Sequence, residues 1–306
     1  MIADLNALVC RGHLDVAIKL SATLPDVPGT CVVCNVHGVR PDFLAVGSAA
    51  AALPEAQREA SFDKGAYFLG KAIWTKGYRA LFDELSDAMA REGGGGGAAG
   101  AGAGAAEMMP TVHTYGSGRD AQEIRDAVSA GGLPEVVHAG TDHAGEALHG
   151  YRVFVNPSTS EVLCTATAEA LAMGKRVLIP RHPSNAFFEQ FGNAVLYEER
   201  AQLVPLLRDA LATPPAPLTP KELYLLSWEA GTERLLDAAL LPASRAPLSA
   251  EPLLSALAYR FHWLISSQPF ADAWYEFAGA TPQHAAWRDR LAAAVGGADA
   301  PSPSVP

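Results

Sequence analysis

Two carboxylates eight residues apart, Glu161 and Glu169, have the residue type and the spacing to bind a sugar. A carboxylate accepts two hydroxyl hydrogen bonds at once, which suits a ribose diol or one edge of a hexose. On a continuous helix, eight residues span about 12 Å, roughly the length of a nucleotide sugar. A structural role fits the same residues, with Glu161 complementing a helix dipole and Glu169 reaching to solvent.

A strand, a helix and a second strand are predicted to position these carboxylates. The apolar run 151–155 stops at an Asn-Pro pair and predicts a buried strand. Residues 164–173 favour a helix, which Gly174 is suited to close, and residues 176–179 predict the next strand. Such βαβ units build parallel sheets, and their ligands lie beyond the carboxyl ends of the strands. Residues 158–161 fall at such an end.

The sequence around this unit resembles a known family. The residues N-P-S-T-S-E-V-L-C-T-A-T-A-E-A-L-A-M-G-K (156–175) contain the Glu-x7-Glu motif of retaining glycosyltransferases with the GT-B fold. Together with H-P-S-N at 182–185, they resemble more narrowly the digalactosyldiacylglycerol synthases. The resemblance implies a UDP-galactose-dependent galactosyltransferase that makes digalactosyldiacylglycerol from monogalactosyldiacylglycerol. A hexosyltransferase with another acceptor, or a non-catalytic nucleotide-sugar-binding remnant, remains an alternative.

The resemblance also suggests a diphosphate clamp in the segment G-K-A-I-W-T-K-G. It assigns Gly70, Lys71 and Lys76 to this clamp, at the end of a strand predicted at residues 66–69. Two ammonium groups beside helix amides suit a pyrophosphate, which gains from the charges and from the helix dipole. Taken without the Glu pair, the two lysines are better interpreted as surface residues.

The remaining site assignments also follow from the resemblance. Glu161 is the candidate catalytic residue, which would meet galactose hydroxyls near the reacting centre, and Glu169 would bind the ribose. Further donor-binding candidates lie in the loops that follow the strands: Gly116, His143, Thr159, Ser160 and Val162. No Asp-x-Asp pair accompanies them, so we expect no metal and no other cofactor, with UDP-galactose as the donor substrate.

The predicted fold class is α/β, as the C-terminal Rossmann-like domain of a GT-B enzyme with a doubly wound parallel sheet. A partial N-terminal domain and a helical C-terminal extension accompany it. The predicted segments are an acceptor-domain remnant with the interdomain crossing (1–60), the Rossmann-like domain (61–200) with a low-complexity insert (93–106), closing helices (201–240), a helical extension (241–295) and a disordered tail (296–306).

Two features outside the motif admit two interpretations each. His37 lies in the predicted crossing, N-V-H-G-V-R-P-D-F-L, where it either faces the cleft or is structural. Cys31 and Cys34 have redox or half-zinc spacing, but they lie in a strand-like run that favours core thiols. Helical periodicity is also predicted for residues 2–21, and for residues 219–236 with Trp228 on the apolar side of that helix.

Composition limits the partners. The formal net charge of −10 argues against binding to nucleic acid, which needs clustered Lys and Arg. No apolar run is long enough to predict a transmembrane segment, and the first residues resemble no transit peptide. By resemblance we expect a lipid acceptor bound through an N-terminal domain that is missing here, peripheral membrane contact, and a place at the chloroplast outer envelope.

Overall fold

The computed structural model describes residues 16–26, 31–93 and 109–240, and these residues form an α/β structure. The strands are β1 (Ala17–Lys19), β2 (Cys31–Val33), β3 (Lys64–Leu69), β4 (Val112–Tyr115), β5 (Glu135–His138), β6 (Tyr151–Val155), β7 (Arg176–Pro180) and β8 (Ala194–Tyr197). The α-helices are α1 (Pro41–Ala51), α2 (Glu55–Ser61), α3 (Tyr78–Gly93), α4 (Ala121–Gly131), α5 (Glu146–His149), α6 (Thr165–Ala172), α7 (Leu203–Ala212), α8 (Pro220–Leu225) and α9 (Trp228–Leu240). Short 3-10 helices lie at Trp74–Lys76, Pro183–Gln190 and Arg200–Gln202.

Six strands form one parallel sheet in the order β5-β4-β3-β6-β7-β8. From β3 the chain first builds outward through β4 and β5, and it then returns to place β6 on the other side of β3. The strand order therefore reverses between β3 and β6. Ligands of open parallel sheets bind outside the carboxyl ends of the strands at such a switch point. The predicted doubly wound sheet is confirmed.

Apolar side chains cover both faces of this sheet, because residues along each strand alternate between the faces. Phe68 and Val155 point to the layer formed by α3, α4 and α7, whereas Tyr67 and Phe154 point to the layer formed by α1 and α6. Burial on both faces explains why β6 and β7 read as continuous apolar runs. Gly174 closes α6 with a φ of +82°, as its position after the helix predicted.

The amino-terminal prediction was wrong where the structure tests it. Ala17–Lys19 is not helical but forms strand β1, which pairs in parallel with Cys31–Val33. The backbone N–H of Cys34 continues this pairing by donating to Lys19 O at 2.8 Å. Pairing with a second strand thus overrides the helical periodicity. The rest of that predicted helix, the insert after Gly93 and the segments beyond 240 lie outside the described residues.

The two cysteines of the Cys-x-x-Cys segment are half-buried instead of lying in the core. The Cys34 thiol is not in a disulfide, and its Sγ donates to Arg234 O at 3.4 Å. Burial raises the pKa of the Cys34 thiol, with a smaller opposing effect of the Arg234 guanidinium. A raised pKa keeps this thiol protonated and poorly reactive, which favours a structural role.

The helix predicted at residues 219–236 is two helices, α8 and α9, separated at Leu226 and Ser227. Ser227 ends the first, because its hydroxyl donates to Tyr224 O at 2.7 Å, and it caps the second by accepting from Ala230 N at 3.2 Å. Trp228 therefore begins α9 and is 50% exposed. The prediction that it lies on the apolar side of one continuous helix was wrong.

Lys175, the last residue of the family motif, has a structural role. Lys175 is fully buried, and its ammonium group donates to His149 O at 2.7 Å and to Tyr151 O at 3.0 Å. It also lies over the rings of Phe62 and Tyr67. Burial lowers its pKa to about 7. These contacts fix the start of β6 to the end of α6 and leave the ammonium group no access to a ligand.

A buried carboxylate predicts a measurable pH dependence of stability. Burial raises the pKa of Glu135 to about 7 from an ordinary 4.5. The folded chain then holds a proton that the unfolded chain has lost, so the free energy of unfolding falls as the pH rises from 4.5 to 7. We expect Glu135→Gln to raise the free energy of unfolding by about 1–3 kcal/mol at pH 8 and to change it little at pH 4. Denaturant unfolding at both pH values measures this.

The matched control is Glu146→Gln, which changes an exposed glutamate on α5. It should leave the free energy of unfolding within about 0.5 kcal/mol at either pH. An equal effect of Glu135→Gln at pH 4 and pH 8 would show that the carboxyl of Glu135 is not the group that titrates.

Candidate active site

The loop after β6 places Glu161 outside the helix that follows. Asn156 is buried and organises this loop: its Oδ1 accepts from Ser158 N at 3.1 Å, and its Nδ2 donates to Cys164 Sγ at 2.8 Å. Helix α6 begins only at Thr165. The 12 Å rise expected for a continuous helix therefore does not describe the separation of the two glutamates.

A tight turn after β3 brings Lys76 against this loop. Gly77 has a φ of +108°, a conformation that favours glycine, and a Cβ at this position would lie 3.3 Å from Ser158 N. Ser160 Oγ joins the two loops by donating to Thr75 O at 3.0 Å. The Lys-Gly pair that suggested a diphosphate clamp thus forms a turn at the switch point of the sheet.

Lys76 and Glu161 form an ion pair across the two loops. The Lys76 Nζ to Glu161 Oε1 distance is 3.1 Å, and the side chains are 35% and 26% exposed. A partly exposed ion pair contributes about 1 kcal/mol or less. A ligand with two negative phosphates can therefore compete with Glu161 for the ammonium group, which frees the carboxylate for hydroxyl groups.

The second glutamate has a histidine partner. Glu169 Oε2 lies 2.8 Å from His143 Nδ1, with side-chain exposures of 18% and 46%. The hydrogen bond to Glu169 raises the pKa of His143, and burial opposes this to a smaller extent. The charge of Glu169 also acts on His37, whose pKa is nevertheless lowered because burial has the larger effect. His143 thus orients the carboxylate that was predicted to bind ribose.

A cavity of about 450 Å³ lies beside the ion pair. Its lining combines predicted site residues and their neighbours before and in α6 with residues that follow β1, from the crossing segment and from α9: Leu20, Val36, His37, Lys76, Ser160, Glu161, Val162, Leu163, Thr165 and Trp228. His37 therefore faces the cavity, the first of its two interpretations. Trp228 was not predicted to belong to the site, although the helix cap at Ser227 before it can be recognised in the sequence.

The other predicted site residues lie outside the lining of this cavity. Gly70 and Gly116 pack against each other, since a Cβ on Gly116 would lie 2.0 Å from Gly70 O and 2.5 Å from the hydroxyl of Tyr78. Lys71 and Thr159 are exposed. Their roles in donor binding stay predictions.

Within residues 16–26, 31–93 and 109–240, no cluster of three His, Cys, Asp or Glu side chains is arranged for a metal ion. Metal-free binding also stays a prediction.

Comparison with solved structures defines the class of protein. Sucrose-phosphate synthase from Thermosynechococcus elongatus matches with a TM-score of 0.53 at 16% identity, over 79% of this chain and 63% of its own. A lipopolysaccharide outer core galactosyltransferase matches with a TM-score of 0.52 at 12% identity, over 73% and 61%. The described residues therefore have the GT-B glycosyltransferase fold, as predicted. At these identities the similarity establishes the fold alone.

Comparison with sequences gives the narrower relationship. The chain is 43% identical over 237 residues to digalactosyldiacylglycerol synthase 1, chloroplastic, of Lotus japonicus. The matched residues are 78% of this chain and 28% of the relative. Identity to the Arabidopsis thaliana synthase 1 is 45% over 232 residues, covering 76% and 27%. Identity to digalactosyldiacylglycerol synthase 2, chloroplastic, of Glycine max is 42% over 235 residues, covering 77% and 47%.

The chain is thus related to the digalactosyldiacylglycerol synthases, and the predicted resemblance is confirmed. It spans between about a quarter and a half of the length of these relatives. No protein-family model matches it.

Proposed function

We propose that this chain binds UDP-galactose at the switch point and transfers galactose to monogalactosyldiacylglycerol, giving digalactosyldiacylglycerol. One observation carries the proposal: Lys76 and Glu161, 85 residues apart in the chain, meet at 3.1 Å beside a cavity at the carboxyl ends of β3 and β6. The names of the relatives support galactolipid synthesis as the reaction.

Donor binding uses the charges of the two loops. Lys76 and Lys71 bind the diphosphate, and Glu161 exchanges its ion pair for galactose hydroxyls. Glu169 accepts hydrogen bonds from the ribose, while its bond to His143 holds the carboxylate in place. Backbone amides of the Glu161 loop complete the contacts: Thr159, Ser160 and Val162.

The chemical step breaks the bond between the anomeric carbon and the diphosphate oxygen through an oxocarbenium-like state. Negative charge grows on the departing UDP, so an ammonium group positioned there stabilises the transition state more than the ground state. The new bond joins the anomeric carbon to a hydroxyl oxygen of the acceptor sugar, with retained configuration, and the proton of that hydroxyl leaves with the UDP. Lys71 and Lys76 supply the charge that a metal would otherwise supply.

The lipid acceptor suggests a place at a membrane surface. The relatives are named as chloroplastic, and we propose the outer envelope of the chloroplast with peripheral attachment. Among the residues that the structure describes, none of the helices has the length and apolar character needed to cross a bilayer.

A transfer assay tests the proposal. Incubating the chain with labelled UDP-galactose and vesicles containing monogalactosyldiacylglycerol should yield digalactosyldiacylglycerol, and Glu161→Gln should reduce the rate at least about a hundredfold. Transfer only to a different hydroxylated acceptor would favour another hexosyltransferase. UDP-galactose binding without transfer to any acceptor would favour a non-catalytic nucleotide-sugar-binding protein.

A further inference from the structure

Two aromatic side chains with no role in the donor binding described above, Trp228 and His37, line the cavity beside the ion pair. Trp228 begins α9, and the ring of His37 meets it edge-on, with 5.3 Å between the ring centroids and an interplanar angle of 75°. Both rings line the same cavity as Lys76 and Glu161. Half of the surface of Trp228 is exposed, which is unusual for a tryptophan without a ligand or partner.

The backbone under these rings is tightly fixed. A Cβ on Gly38 would lie 2.4 Å from Trp228 Cα, so glycine lets the crossing segment lie directly against the start of α9. Val39 N donates to Leu226 O at 2.8 Å beside this contact. The segment that carries His37 and the helix that carries Trp228 therefore pack directly against each other.

Arg234 of α9 holds the crossing segment and the end of α8 together. Its guanidinium donates to three backbone carbonyls: Asn35 O at 2.6 Å, His37 O at 3.1 Å and Leu225 O at 3.0 Å. It also lies over the ring of Phe187, 4.9 Å from its centroid. Five donors in a planar fork suit such multiple contacts. The backbone that carries His37 is thus bound to the closing helices without a ligand, and such preorganisation lowers the entropic cost of binding.

The cavity combines hydroxyl-binding and apolar surfaces. Lys76, Ser160 and Glu161 contribute charged and hydroxyl groups, whereas Leu20 and Trp228 contribute apolar surface. His37 Nε2 is buried and has no hydrogen-bond partner among the described residues. A ligand that suits this lining has hydroxyl groups on one edge and a continuous C–H surface on one face. A galactopyranose has this form, because its axial 4-hydroxyl leaves the C–H groups of C3, C4 and C5 together on the opposite face.

We propose that Trp228 is the stacking platform for a galactose ring and that His37 hydrogen-bonds one hydroxyl of that ring, so that this pair selects galactose over glucose. This inference rests on the proposed function and names the element of the site that recognises the sugar. The ring belongs either to the donor or to the galactolipid headgroup, and both present the same C–H face.

Calorimetric titrations of UDP, UDP-galactose and UDP-glucose into the unmodified chain, Trp228→Ala and Trp228→Phe test the inference. Trp228→Ala should bind UDP as the unmodified chain does, because the inference places only the sugar against the ring. If the ring holds the donor sugar, Trp228→Ala should bind UDP-galactose about three- to tenfold more weakly, and Trp228→Phe should recover most of that loss. The preference of the unmodified chain for UDP-galactose over UDP-glucose should shrink in Trp228→Ala.

A second titration distinguishes the source of the ring. If the platform holds the acceptor headgroup, Trp228→Ala should instead lose affinity for methyl β-galactoside added to the UDP-saturated chain, and this result also supports the proposal. Unchanged binding of both sugars by Trp228→Ala overturns the inference and leaves the proposed function intact. Equal weakening of UDP and UDP-galactose overturns it too, since the ring would then contact the nucleotide. Failure of the unmodified chain to bind UDP overturns both.

Discussion

Replacing Lys76 with alanine is expected to weaken the binding of UDP by about ten- to a hundredfold. The variant loses charge-assisted hydrogen bonds to the diphosphate, worth about 1.5–3 kcal/mol. It also leaves Glu161, its ion-pair partner at 3.1 Å, as an uncompensated negative charge beside the phosphates. Both effects act in the same direction. Calorimetric titration of UDP into the variant and into the unmodified chain measures the loss.

A matched control for this prediction is Lys221→Ala, which removes the same charge from an exposed position on α8. It should change the affinity for UDP less than twofold, since Lys221 is exposed and does not line the cavity, and salt screens the interactions of exposed charges. Lys71→Ala, tested beside them, measures the contribution of the second predicted lysine. Equal losses for Lys76→Ala and Lys221→Ala would mean that only the net charge of the chain matters, contrary to a clamp at the turn after β3.

Replacing Gly116 with alanine is expected to lower the free energy of unfolding by at least about 1–3 kcal/mol. The new methyl group would lie 2.0 Å from Gly70 O, a backbone atom that cannot give way without moving the end of β3. The turn that carries Lys76 follows that strand directly. We therefore expect weaker UDP binding in whatever fraction of the variant still folds. Thermal or denaturant unfolding measures the first effect, and titration the second.

The control for the glycine substitution is Gly140→Ala. A Cβ at this position in a neighbouring loop would have only ordinary contacts, the nearest at 3.6 Å from Ser117 Oγ. Its free energy of unfolding should stay within about 0.5 kcal/mol of the unmodified chain. If Gly116→Ala were as stable as Gly140→Ala, the close approach between the ends of β3 and β4 would not be required for folding.

The sheet could be predicted from the sequence because its signals are local. The strand Tyr151–Val155 and the helix closed by Gly174 each show in a few consecutive residues. Alternation of strands and helices then implies a parallel doubly wound sheet. The wrong prediction at Ala17–Lys19 has the opposite cause, since pairing with Cys31–Val33 depends on residues at a distance along the chain.

The site could be predicted residue by residue but not as a geometry. The resemblance assigned Lys76 to phosphate and Glu161 to sugar, yet nothing in either segment shows that the two side chains pair with each other. Their contact follows from the order of strands in space, which places β3 next to β6. Trp228 was missed because apolar periodicity continues through Ser227, although the serine interrupts the helix and turns the ring toward the cavity.

A calorimetric titration of UDP-galactose into this chain, with Glu169→Ala beside it, tests the proposed donor site most directly. We expect saturable binding at one site and a loss of about tenfold or more in the variant, which lacks the carboxylate proposed to bind the ribose. Heat that does not saturate, or equal affinity of the variant and the unmodified chain, would contradict a nucleotide-sugar site at the switch point between β3 and β6.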